Sequence, residues 1–250
     1  SRQTVTAGSS TFLAAREVRK KALDVAALLL QSTPEELEIV DGVVRRIGRA
    51  DDTGVTLRSI AEMLAGDPGY SITGKFPPGL ESYQNFMPDG LTYAMACHAV
   101  EVEVDVQTAH VKLLRYIVVN DCGRAVNPMM VEGQIIGGVA HGIGNALFEW
   151  MGYDDAAQPI TTNFGEYLLV TAPEVPRIEV KLLEYPSTMN PLGVKGVGEA
   201  GCVPAAAAIL SAVENALGPY GVVVAETPLP PSRLHELIRA GRGPGEGRAA

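Results

Sequence analysis

Eleven residues carry the most pointed chemistry in this chain: Pro191-Leu192-Gly193-Val194-Lys195-Gly196-Val197-Gly198-Glu199-Ala200-Gly201. Four of them are glycines, and one carboxylate, Glu199, stands among them. An apolar run with helical spacing follows, Val203 to Leu217. Glycine lets another molecule press against the backbone. A carboxylate held just before a helix N-terminus is favoured as its anion by the helix dipole. A fixed carboxylate anion is what a general base needs. The same letters, Gly196 to Gly201, match the G-x-G-x-x-G of dinucleotide-binding loops. That fingerprint has to follow directly on a strand, and here Pro191-Leu192-Gly193 precedes it. Glu199 would also set a negative charge where a pyrophosphate should lie. A nicotinamide-dependent dehydrogenase using Gly196–Gly201 is therefore the second reading, behind a base on a ligand-facing loop.

The elements around this loop follow from periodicity. Thr11 to Leu30 reads as an amphipathic helix with Phe12, Ala15, Val18, Ala22, Val25 and Leu29 on one side. Ser32-Thr33-Pro34-Glu35-Glu36 has helix-start chemistry, and Asp41-Gly42 between two short apolar runs predicts a two-residue hairpin. Leu57 to Leu64 reads as a short helix. Asp67 to Gly90, with four prolines, reads as a long loop. Ala99 to Val106 alternates strictly and pairs with Val111 to Asn120 in an antiparallel hairpin. Further strands are expected at Glu166 to Thr171, Ile178 to Leu183 and Val222 to Ala225. Between them Met129 to Trp150 reads as a helix laced with Gly133, Gly137, Gly138, Gly142 and Gly144. Glycine costs a helix about 1 kcal/mol relative to alanine, so close approach of another helix or of a ligand is expected there. Hairpins alternating with helices give an α+β fold. Its expected parts are lobes at residues 1–90 and 91–240, with a disordered tail at 241–250.

The 250 residues are 46% hydrophobic, enough for a real core, and carry a net charge of −9 with pI near 5.0. An acidic chain is a poor partner for nucleic acid, and no apolar run approaches a membrane span. Cys97, Cys122 and Cys202 lack the spacing of a zinc or iron–sulfur site. An odd count suits a reduced, cytoplasmic setting. The chain begins Ser1-Arg2-Gln3, without Met, as expected of a processed product or a piece of something longer.

In order along the chain stand Ser32-Thr33-Pro34-Glu35-Glu36-Leu37-Glu38 with Asp41-Gly42, then Asp121-Cys122-Gly123 with Asn127-Pro128 and Glu132-Gly133-Gln134. After them come His141-Gly142-Ile143-Gly144-Asn145-Ala146-Leu147 with Glu149, and the Glu199 loop. This ordered set resembles the xanthine dehydrogenase, aldehyde oxidase and aerobic carbon monoxide dehydrogenase family. The likeness is to the C-terminal part of its large, molybdopterin-binding subunit. It implies hydroxylation of a small organic substrate with oxygen from water, at a molybdenum held by a pterin dithiolene and not by protein ligands. The cofactor implied is molybdopterin cytosine dinucleotide. Glu199 would be the base that activates the metal's hydroxide, and Gln134 would hydrogen-bond the pterin. Ser1, Arg2, Thr4, Val5 and Thr6 would belong to a cofactor-wrapping loop, with Lys195, Gly196, Val197 and Gly198 as further contacts. The partners implied are a larger N-terminal molybdopterin-binding chain, a 2Fe-2S subunit and an FAD subunit. The chain departs from the family at Gln107-Thr108-Ala109-His110, a turn without glycine, and at Cys202-Val203-Pro204. A non-catalytic, cofactor-handling relative is a third reading.

Overall fold

The computed structural model describes residues 2–49, 53–65 and 76–241. Ser1 and the predicted 241–250 tail beyond Gly241 lie outside the described residues, as does part of the predicted loop. The chain has an α+β fold made of two compact units, Thr6–Pro88 and Ser1–Val5 with Asp89–Ala250.

In the first unit, helix α1 (Ser9–Leu30) is followed by strands β1 (Leu37–Val40), β2 (Val43–Arg46) and β3 (Val55–Thr56), then helix α2 (Leu57–Leu64). The strands form one antiparallel sheet in that order. The predicted hairpin turns at Asp41 and Gly42, both at positive φ (50° and 76°). That is the pair of conformations a type I′ turn demands. Glu36 accepts from the Thr33 amide at 3.1 Å, closing the helix start seen in the sequence. Ala22, Val25 and Ala26 of α1 meet Val44 and Ile60 in a small core. The predicted N-terminal loop is instead helical: Thr4–Gly8 is a π-helical turn running into α1. The Ser10 hydroxyl donates to the Thr6 carbonyl at 3.1 Å. The Ser10 side chain thus turns back on the backbone within the helix.

In the second unit, β4 (Met95–Val104) and β5 (Val111–Asp121) form the predicted antiparallel hairpin. Strand β6 (Ile178–Leu183) adds parallel to β5, giving the order β4-β5-β6. Ala109 takes the positive φ (55°) of the hairpin turn in place of a glycine. Asp105 accepts from the amides of Gln107 and Thr108, which keeps its carboxyl below the usual range. Helix α3 (Pro128–Leu147) connects β5 towards β6, and α4 (Ala205–Ala216) and α5 (Pro231–Ala240) follow. Ile135, Val139 and Ile143 of α3 pack with Tyr116 and Val118 of β5, with Ile209 and Val213 of α4 and with Leu234 of α5. Each such apolar side chain contributes about 1.5–3 kcal/mol on burial.

Two predicted strands do not form. Glu166 belongs to a turn, where Asn163 and Glu166 accept from the amides of Gly165 and Thr162, and Leu168–Thr171 is irregular. Val222–Ala225 has no regular secondary structure and pairs with no strand; the Val224 amide donates to the Glu214 carboxylate instead.

Candidate functional site: a loop tethered at both ends

The Glu199 loop is tethered to the end of β5. Asp121 closes that strand, is 7% exposed, and accepts three hydrogen bonds: from the amides of Gly123 (2.8 Å) and Tyr185 (3.2 Å), and from the Lys195 ammonium. Burial pushes its carboxyl up, but Lys195 and the two amides outweigh that and hold it below its ordinary value. The backbones are stitched together at the same place. The Lys195 amide donates to the Cys122 carbonyl at 2.7 Å, and the Arg124 amide to the Gly193 carbonyl at 2.9 Å. Gly123 and Gly193 both sit at positive φ (66° and 69°), and a Cβ on Gly123 would overlap the Gly193 carbonyl. Asn190 clasps Val194 from both sides, donating to its carbonyl at 2.8 Å and accepting from its amide at 3.0 Å.

The far end of the loop is held by α3. A Cβ on Gly138 would lie 2.9 Å from the Cys202 nitrogen and from the Gly201 Cα. One on Gly142 would run into the Ala205 Cβ, and one on Gly201 into the Ile135 carbonyl. Helix and loop therefore touch backbone to backbone. The Glu199 carbonyl accepts from the amides of Cys202 and Val203, each at 3.0 Å. Helix α4 begins only at Ala205, because Cys202–Pro204 turn before it. Glu199 thus lies outside the first helical turn, and its orientation comes from the two tethers, not from the dipole invoked by the sequence.

Between the tethers, Glu199 lines two clefts. One, of about 330 Å³, is faced by Gly133, Gln134, Gly137, Gly138 and His141 of α3 and by Gly198, Cys202 and Val203. The other, of about 390 Å³, runs along Thr92–Ala96, with Gly196, Val197, Ala200, Val203 and Pro204 opposite. Glu199 is the one carboxylate in either, among the described residues. The first cleft has an amide, an imidazole and bare helix backbone. The second is more apolar than polar, with Tyr93, Met95 and Val203 each about two-thirds or more exposed. Below it, His98 of β4 bonds the Tyr116 hydroxyl through Nδ1 at 2.9 Å. Burial pushes the imidazole down, which the Ala200 carbonyl only partly opposes, and burial pushes the Tyr116 phenol up.

The predicted residues divide accordingly. Gln134 and Gly198 join Glu199 at the first cleft, and Gly196 and Val197 line the second. Lys195 lines neither and is engaged by Asp121. Arg2, Thr4 and Val5 line neither, and Thr6 belongs to the other compact unit. Sequence reasoning missed Asp121, His98, Tyr93 and Met95. Only Asp121 stood within a recognised motif; Met95 and His98 lie in the part of β4 that precedes the alternation read at Ala99–Val106, and Tyr93 lies ahead of the strand. The G-x-G-x-x-G reading fails, because only an isolated bridge at Val194 precedes the loop where a strand is required.

The family model for the molybdopterin cofactor-binding domain matches residues 1–176. The chain belongs to that family. It is 39% identical over 243 residues to the nicotine 6-hydroxylase large subunit of Paenarthrobacter nicotinovorans, covering 97% of this chain and 29% of that relative. The solved structure of a Cu,Mo-CO dehydrogenase superposes with a TM-score of 0.83 at 29% identity, over 96% of this chain and 29% of that one. Quinoline 2-oxidoreductase from Pseudomonas putida 86 superposes at 0.80 with 35% identity, over 91% and 29%. The chain thus spans about three-tenths of the length of these relatives.

A molybdopterin group fits the first cleft on its own terms. Gly133 and Gly137 point into open space, with nothing within 4 Å of a built Cβ, so a bulky ligand meets backbone there. The Gln134 amide and His141 supply polar partners along the same helix face. Among the described residues no group of three His, Cys, Asp or Glu is placed to hold a metal ion, and no helix is long and apolar enough to cross a membrane.

Proposed function

We propose that this chain forms one wall of the active site of a molybdenum hydroxylase, with Glu199 as its general base. The carrying observation is that Glu199 stands on the wall between a polar, glycine-faced cleft and an apolar one. The polar cleft takes the molybdopterin, and the apolar cleft takes the substrate. When bound, the molybdopterin supplies the two-electron oxidising centre. Gln134 anchors it through a side-chain amide, and the backbone of Gly196, Val197 and Gly198, with Lys195 before them, shapes the loop against it. The N-terminal contacts Ser1, Arg2, Thr4, Val5 and Thr6 rest on the resemblance alone. Glu199 accepts a proton at a carboxylate oxygen, while the exposed side chains of Tyr93, Met95 and Val203 offer apolar surface to the substrate.

A cleft with no cation among its described residues suits an uncharged ring better than an anionic substrate. Two of the relatives are named for such rings, nicotine and quinoline. A small N-heteroaromatic is therefore the substrate class proposed. The cofactor form is molybdopterin cytosine dinucleotide. The partners are the remaining molybdopterin-binding part of the subunit, a 2Fe-2S subunit and an FAD subunit, in the cytoplasm.

The test is Glu199→Gln in the complete enzyme. The substitution keeps size and hydrogen bonding but removes the basic oxygen. Molybdenum content is expected to stay near wild type while turnover falls by about 10²–10⁴-fold. Turnover within a few-fold of wild type would reduce Glu199 to a loop-forming residue. An assembly that carries neither molybdenum nor iron–sulfur absorption would favour the cofactor-handling relative.

A further inference from the structure

We infer that Asp121 is a positioning residue for Glu199, acting through Lys195 and the loop between them. The inference rests on Glu199 being the base, and extends it to a residue 74 positions away from Lys195 in sequence. The side chains of Asp121 and Lys195 are 9% and 15% exposed, so their ion pair is screened little by solvent. It is also not isolated. One Asp121 oxygen accepts from the Gly123 and Tyr185 amides, and the other takes the Lys195 ammonium. Lys195 in turn fixes its own amide on the Cys122 carbonyl at 2.7 Å. Asp121 thus joins the end of β5, the segment after β6 and the loop through three different donors. Beyond Lys195 the loop runs Gly196-Val197-Gly198 to Glu199, with little side-chain bulk of its own to hold a course. Its near end is set by the ion pair together with the backbone bonds at Cys122 and Arg124, and its far end by α3 at Gly138 and Gly142. With the near tether released, Glu199 stays attached but its carboxylate no longer keeps one place on the wall between the clefts. A displacement of about 1 Å in a reacting group can cost about 100-fold in rate.

The experiment uses Asp121→Asn, Lys195→Met and the double variant in the complete enzyme. It reads molybdenum content, kcat, KM, and amide hydrogen exchange over residues 194–199. Asp121→Asn keeps the shape and an acceptor for the two amides. Lys195→Met leaves the Asp121 amide bonds intact and covers the case in which the first variant fails to fold. The expected result for either is kcat lower by about 10- to 100-fold per molybdenum, KM within about threefold, and faster exchange confined to the loop. The double variant is expected to be no worse than the worse single, since both remove one coupled unit. Lys195→Arg, which retains the pair, restores slow exchange. Unchanged exchange, a kcat within about twofold of wild type, or a kcat loss that only follows lost molybdenum would each overturn the proposal. The exchange readout does not depend on the identity of the base, so it stands even if Glu199→Gln turns over normally.

Discussion

Helix α3 carries two stripes of glycine that differ in what lies over them. Gly138 is covered by the backbone of Gly201 and Cys202 and Gly142 by the Ala205 Cβ, at distances no Cβ tolerates. Gly133 and Gly137 are exposed, and a Cβ on either would meet nothing within 4 Å. All four carry the same helix penalty of about 1 kcal/mol. Packing within the chain accounts for the first pair, because the close backbone approach depends on their bareness. It does not account for the second pair. Under the proposed function their cost is offset by the molybdopterin in the cleft beside Gln134, His141 and Glu199. One helix thus separates a structural use of glycine from a ligand-facing one, and the two uses are distinguishable by what a methyl group does at each.

Gly142→Val tests the covered stripe and has the largest expected effect on stability. The Cβ cannot be accommodated against Ala205 without parting α3 from α4. The loss is expected at about 3 kcal/mol, at the upper end for overpacking, read from a denaturant midpoint. An unchanged midpoint would dissolve the distinction between the stripes. Gly137→Val probes the exposed stripe. It is expected to leave the midpoint within about 0.5 kcal/mol, since helix propensity changes little, while molybdenum content of the assembled enzyme drops several-fold. Full molybdenum loading in that variant would return the exposed stripe to solvent. The smallest effect is Gly133→Ala, which is expected to stabilise the chain by up to about 1 kcal/mol through helix propensity alone. Destabilisation there would mean that a neighbouring element already rests on the exposed stripe.

Legibility from the sequence followed the range of the interactions. Leu57–Leu64 and Ile178–Leu183 were read at the observed residues because their patterns are local. Of the hairpin β4–β5, the second strand was read almost to its ends, while the first was expected at Ala99–Val106 and runs from Met95 to Val104, since the alternation marks its middle and not its start. Glu166–Thr171 failed because two side-chain caps, at Asn163 and Glu166, outcompeted a weak strand propensity. Helix α5 and strand β3 went unread: the first follows a proline-rich stretch, and the second is only two residues long. At the site, glycine spacing pointed to Glu199 and Gln134. The ion pair of Asp121 with Lys195 could not be inferred, because nothing local to either residue selects the other. The helix-dipole account of Glu199 also failed, since a turn over Gly201–Pro204 separates it from α4.

Both tethers of the Glu199 loop are made by the chain itself, and that has a consequence for timing. Holding one residue to a single backbone conformation costs about 1–2 kcal/mol, and glycine, which supplies three of the six positions from Gly196 to Gly201, loses the most. That cost falls on the folding of the unit, together with its core, and not on the later arrival of a ligand. A cofactor meeting this loop finds it already set. Little of its binding energy is diverted into ordering the protein, and the geometry of the site is inherited from the sheet and helix beneath it.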